Sequence, residues 1–203
     1  MKNKDRYHCF TELQQENNEG IDYTITIVKR DSNIVVIAPH GGWIECCTAE
    51  IATAIAGDDF SLYCFEALHT KNNLHITSTR FDEPKCLSLV SEHKLAVSIH
   101  VCYDWEACIY IGGRNKHLKE KLMENFSNAS VSAMTAKENN LYSGIDKNNI
   151  CNLCISGRGL QLEITLGLAH QMVKIPNHDT KYQETTPIFD DFVHVVREVL
   201  LAA

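Results

Sequence analysis

An α/β fold, a single domain with an open mixed central sheet flanked by helices, follows from two features of this sequence. Apolar or alternating runs of strand length recur along the chain, and segments whose apolar residues repeat at helical spacing lie between them. Its 203 residues, 44% of them hydrophobic and with no repeat or Pro/Gly-rich linker, suit one core, so residues 1–203 are read as one unit.

In chain order, Tyr23 to Lys29 alternates Tyr and Ile with Thr and reads as a strand, and Asp31-Ser32-Asn33 supplies the turn after it. Ile34-Val35-Val36-Ile37-Ala38 is an apolar run of buried-strand length that Pro39 closes. His40-Gly41-Gly42 turns the chain, and Ile44, Cys47, Ile51, Ala54 and Ile55 then recur at helical spacing. Ser61 to Leu68 is another β-rich run. Asn72 to Asp82 is polar, carries His75 and Arg80, and leads to Pro84, a first-turn residue for a short helix through His93. Leu95 to His100 alternates, with Leu95, Val97 and Ile99 on one face, which puts His100 at a strand end. Ala107 to Ile111 is a short strand closed by Gly112-Gly113. Leu118, Leu122 and Phe126 mark an amphipathic helix. Leu160 to Thr165 alternates again and sets Gln161, Glu163 and Thr165 on a common face. Thr186 and Pro187 open a last helix whose stripe is Ile188, Phe192, Val195, Val196 and Val199.

Composition narrows the function. Nineteen basic against 26 acidic residues give a net charge of -7, which argues against a nucleic-acid partner and requires any anionic substrate to meet a locally positive site. Met1 to His8 runs into a polar segment, and no apolar stretch is long enough to cross a bilayer, so no membrane partner and a cytoplasmic location are expected. Nine cysteines, scattered among apolar neighbours, read as reduced and buried. Cys151-Asn152-Leu153-Cys154 has CxxC spacing, but no second pair accompanies it, so metal or redox chemistry there has weak support. Gly112-Gly113 matches neither phosphate-binding fingerprint.

A catalytic zinc site commonly takes three ligands from His, Glu, Asp or Cys and leaves a fourth position open. His40, Glu45 and His100 supply such a set from two strand ends, at a spacing unlike the single-helix HExxH pattern. Each also has a structural explanation: a strand-end His hydrogen-bonds backbone, and a Glu in a first helical turn favours the helix dipole. Glu163 is the candidate general base, against a solvent-facing carboxylate on an edge strand. Arg158 is the candidate carboxylate clamp or oxyanion stabiliser, against a surface loop arginine. His8, His69, His117, His170, His178 and His194 are weaker candidates, surface or core residues.

The order of segments carries more information than any single spacing. Ala38-Pro39-His40-Gly41-Gly42 with Glu45 is followed by Leu74-His75-Ile76-Thr77-Ser78, Phe81-Asp82-Glu83-Pro84 and Val97-Ser98-Ile99-His100. Tyr110-Ile111-Gly112-Gly113, Asn149-Ile150-Cys151-Asn152 and Gly157-Arg158-Gly159-Leu160-Gln161-Leu162-Glu163 come next. Over roughly Tyr23 to Val199 this resembles the poly-γ-glutamate hydrolase family of phages and bacilli, some members of which are labelled phage-related replication proteins. The resemblance implies a zinc-carboxypeptidase-like fold and a zinc-dependent amidohydrolase that cuts poly-γ-glutamate or another γ-glutamyl amide. It further implies that His40, Glu45 and His100 bind zinc, that Glu163 acts as base and then acid, and that Arg158, His75 and Arg80 face substrate. The expected location stays cytoplasmic, with lysis as one route of release. A zinc amidase or carboxypeptidase acting on small peptides or acylamino acids keeps the same site, and a non-catalytic binding protein keeps only the fold. One departure stands out: Val101 follows His100 where the family pattern suggests glycine, which predicts a narrower cleft or a shifted backbone approach.

Overall fold

In the computed structural model, which describes residues 5–136, 142–174 and 184–203, the alternating runs become strands of one mixed sheet. The strands are β1 (Tyr23–Val28), β2 (Ile34–Gly42), β3 (Ser61–Ala67), β4 (Leu95–Cys102), β5 (Ile109–Gly113), β6 (Ala133–Thr135) and β7 (Leu160–Thr165). Their spatial order is β1-β3-β2-β4-β7-β5-β6. Strands β3, β2, β4 and β7 run parallel, whereas β1 and β5 pair antiparallel with β3 and β7. A parallel interior is buried on both faces, which is why β2 reads as a continuous apolar run.

Helices cover both faces. Val36, Ala38, Val97, Ile99, Leu160, Leu162 and Ile164 pack with α2 (Thr48–Ala56), α4 (Lys116–Phe126), α5 (Leu166–Met172) and α6 (Pro187–Leu201). Val35, Ile37, Tyr63, Phe65 and Ala96 turn the other way, toward α1 (Phe10–Glu16), α3 (Pro84–Glu92) and the 3-10 turn Ile150–Leu153. Helix α3 starts where Glu83 accepts from the backbone N–H groups of Lys85 and Cys86 and Pro84 fills the first turn. Two seven-residue helices escape a periodicity reading because they are too short to repeat a face. These are α1, with only Phe10 and Leu13 buried, and α5, capped by Thr165.

Two expectations around His40 are corrected. Strand β2 does not end at Pro39; it runs to Gly42 through a bulge, since Ala38 lies opposite Cys64 but Gly41 opposite Glu66. Proline has no N–H to give a ladder, and a bulge tolerates that. Helix α2 begins at Thr48, so Glu45 sits in the turn before the helix and not in its first turn. All nine cysteines are free thiols, and Cys151 and Cys154 are buried. Among the described residues no helix is long and apolar enough to cross a membrane. His178 lies outside the described residues.

Candidate metal centre

The bulge sets the direction of His40. Strict alternation would send His40 to the α2 side with Val36 and Ala38, but the extra residue in β2 resets the pattern. His40 therefore emerges on the same face as Ala96, Ser98 and His100, at the carboxyl end of the parallel strands. Its Nε2–H donates to the Ile76 carbonyl at 2.8 Å, and because a carbonyl only accepts, Nδ1 of the neutral ring carries the lone pair. The turn that delivers Glu45 closes on the same residue: the Glu45 N–H donates to the His40 carbonyl at 2.9 Å, and the Thr48 hydroxyl donates to the carbonyls of His40 and Glu45.

Three donors converge there. His40 Nδ1 lies 2.8 Å from Glu45 Oε1 and 3.2 Å from His100 Nδ1, and His100 Nδ1 lies 3.3 Å from Glu45 Oε2. Among the described residues this is the group of three or more His, Cys, Asp or Glu ligand atoms that all lie within 4.8 Å of one another. Two imidazole nitrogens and a carboxylate turned toward one point form a donor set that could hold a metal ion. An ion with four ligands at ~2.0–2.1 Å holds neighbouring donors about 3.3 Å apart, close to the spacing observed. The outer contacts fit as well: Ile76 orients His40, the Ser78 hydroxyl lies 3.3 Å from His100 Nε2, and the Val101 N–H donates to Glu45 Oε2 at 2.9 Å. Burial opposes ionisation of Glu45, but His40 and His100 beside it outweigh that and hold its carboxyl well below the usual range.

Glu163 faces His100 across the parallel pair β4/β7. It is 7% exposed, and burial pushes its carboxyl up to about 7, against the opposing pull of His100. Its direction is fixed by a buried chain: Asn149 Nδ2 donates to Gln161 Oε1 at 2.7 Å, and Gln161 Nε2 donates to Glu163 Oε1 at 2.7 Å. A carboxyl that titrates near neutral beside a metal-ligand cluster suits proton shuttling.

His75 stacks on His40 with ring centroids 4.2 Å apart, its Nε2 3.9 Å from Glu45 Oε1, and burial pushes it down to about 4. Arg80 stands behind it, its guanidinium donating to Asp5 and to His8 Nδ1. Arg158 is not brought to this centre. It precedes β7, where the adjacent Gly159 packs against the Ala96 carbonyl, whereas the donors sit at the level of His100. Leu160 and Glu163 alone are about 10 Å apart along a strand at ~3.3 Å per residue. Arg158 is exposed at the opposite, amino-terminal end of the parallel strands, away from the position a clamp would need. Val101 does not narrow the cleft: its side chain packs on the helical core behind β4, and only its N–H faces the site.

Sequence reasoning missed Asp5, Asn149 and the Ile76 carbonyl as parts of the site. Gln161 carried a signal, since alternation put it on the face of Glu163. With this geometry in place, the family match decides the kinship: residues 7–195 match the family described as poly-gamma-glutamate hydrolase. The chain belongs to the poly-gamma-glutamate hydrolase family. Among the relatives of this family member, the SPbeta prophage-derived UPF0714 protein YoqZ of Bacillus subtilis (strain 168) is 32% identical over 198 residues, 97% of this chain and 72% of YoqZ. YndL of the same strain is 30% identical over 195 residues, 95% of this chain and 77% of YndL. The solved structure of a bacteriophage poly-gamma-glutamate hydrolase superposes with a TM-score of 0.90 at 28% identity, covering 98% of both chains. Zinc-free YndL superposes with a TM-score of 0.91 at 30% identity, again over 98% of both.

Proposed function

We propose that this chain is a zinc-dependent hydrolase of the γ-glutamyl amide bonds of poly-γ-glutamate, with His40, Glu45 and His100 as the metal ligands and Glu163 as the proton shuttle. The observation that carries it is the convergence of two imidazole nitrogens and a carboxylate on one point, with a buried carboxyl on the neighbouring strand. Membership of the family, and the kinship to a phage poly-gamma-glutamate hydrolase and to YndL, whose structure is described as zinc-free, support the metal and the substrate.

When bound, zinc supplies Lewis-acid polarisation of the scissile carbonyl and acidifies water. The chain's own residues do the rest. Gln161 holds Oε1 of Glu163, so Oε2 takes the proton of the attacking water and later passes it to the nitrogen of the leaving amine. His75 and Arg80, on the polar segment over the centre, make up the substrate side: His75, held neutral by burial, offers a ring nitrogen, and the Arg80 guanidinium, paired with Asp5, is a nearby cation.

The test measures zinc content and polymer length after incubation with poly-γ-glutamate. Wild type shortens the polymer, chelator-stripped protein does so only after zinc is restored, and Glu163→Gln keeps its zinc but turns over ~10²–10⁴-fold more slowly. Zinc-loaded wild type that leaves the polymer intact while cleaving a small γ-glutamyl amide would move the substrate to the small amide, and no cleavage of either would sink the reading.

A further inference from the structure

Ahead of α1, Asp5 reaches the metal centre from the amino-terminal side of the chain, and its side chain is only 6% exposed. Both of its oxygens are engaged. Oδ1 accepts from His75 Nδ1 at 2.6 Å, and Oδ2 accepts from the Thr77 backbone N–H at 2.9 Å and from Arg80 Nη2. An ionised carboxylate only accepts, so Nδ1 of His75 carries a proton, and in the neutral ring the lone pair is then on Nε2, the ring edge that looks toward Glu45.

We propose that Asp5 is a positioning residue for the hydrolysis: it fixes the tautomer and orientation of His75, so that Nε2 is presented to the centre as an acceptor, and it aligns Arg80 beside it. This rests on the hydrolase reading for its catalytic meaning but not for its geometry. The two nitrogens of an imidazole lie on different edges of the ring, so Asp5 stands behind His75 and not between His75 and Glu45. It therefore supports the substrate side without filling it. The segment that carries it is anchored: Tyr7, Phe10 and Leu13 are buried in the core, and the Phe10 N–H donates to Asp82 Oδ1 at 2.6 Å. The arrangement repeats on the substrate side what Ile76 does for His40, a hydrogen-bond partner on one ring nitrogen deciding what the other nitrogen offers.

The experiment uses full-length, zinc-loaded protein as wild type, Asp5→Ala, Asp5→Asn and Asp5→Glu, read by long-range proton–nitrogen correlation spectra of the histidine rings and by steady-state kinetics on poly-γ-glutamate. In wild type, His75 shows a protonated Nδ1 and a bare Nε2. In Asp5→Ala that pattern collapses and kcat falls ~10–100-fold with zinc content unchanged, and Asp5→Glu recovers part of both. Asp5→Asn keeps the shape of the side chain and gives the same reading if the alanine variant does not fold. An unchanged His75 pattern with unchanged kcat in a folded variant would overturn the proposal, as would faster turnover, which would mean that Asp5 blocks the site. If wild type itself leaves the polymer intact, the hydrolase reading fails, and the nitrogen pattern alone still decides whether Asp5 positions His75.

Discussion

Glu163 can take a proton from water only if one carboxylate oxygen is held and the other is free, and that choice is made by a neighbour two residues upstream. Gln161 donates to Oε1 and is itself fixed by Asn149. Gln161→Leu would leave the Asn149 amide and the Glu163 carboxylate without their partners, at a cost of ~1–3 kcal/mol each. Turnover is expected to fall on the order of 10²-fold through misplacement of Glu163, whereas Gln161→Glu, whose carboxylate faces Glu163 directly, should fall further; stopped assays of polymer length and thermal melts check both. At this scale the sequence was a partial guide. Alternation along Leu160 to Thr165 put Gln161 and Glu163 on one face, because period two is a local property. Asp5 was invisible because its partner His75 lies 70 residues away. Arg158 misled because a Gly-flanked arginine reads the same at either end of a strand, and only the parallel partner says which end meets the site.

For the elements, the boundaries that mattered were those around β2. A proline after an apolar run marks a strand end or a bulge equally well, since both dispense with its N–H. The long strands and α3, α4 and α6 were legible from period and caps, whereas α1, α5 and the 3-10 turn were not, being shorter than the repeat needed to show a face. Past the bulge the strand ends at Gly42, whose φ is +65° and where an added Cβ would stand 2.2 Å from the Ala67 carbonyl oxygen. Gly42→Ala is thus strained in backbone and in space. We expect a loss of ~1–3 kcal/mol in denaturant unfolding and, because the turn carries Glu45, weaker zinc retention in a chelator competition.

The whole molecule is acidic while its substrate is a polyanion, so long-range charge opposes their encounter. Added monovalent salt should therefore raise kcat/KM for poly-γ-glutamate from low ionic strength toward ~0.15 M, where the Debye length shrinks to about 8 Å, and leave kcat nearly unchanged. Falling kcat/KM over that range would show instead that local attraction at the site, with Arg80 the nearby cation, dominates approach. Topology adds a further consequence. Strands β2 and β4 are neighbours and, with the turn that follows β2, carry all three donors by residue 102, whereas β7, which brings Glu163, joins the far side of β4 only after an excursion through β5 and β6. During synthesis the three proposed ligands thus leave the ribosome some sixty residues before the proposed base, Glu163. The order of the strands thus separates along the chain the residues that would hold a metal from the residue that would move the proton.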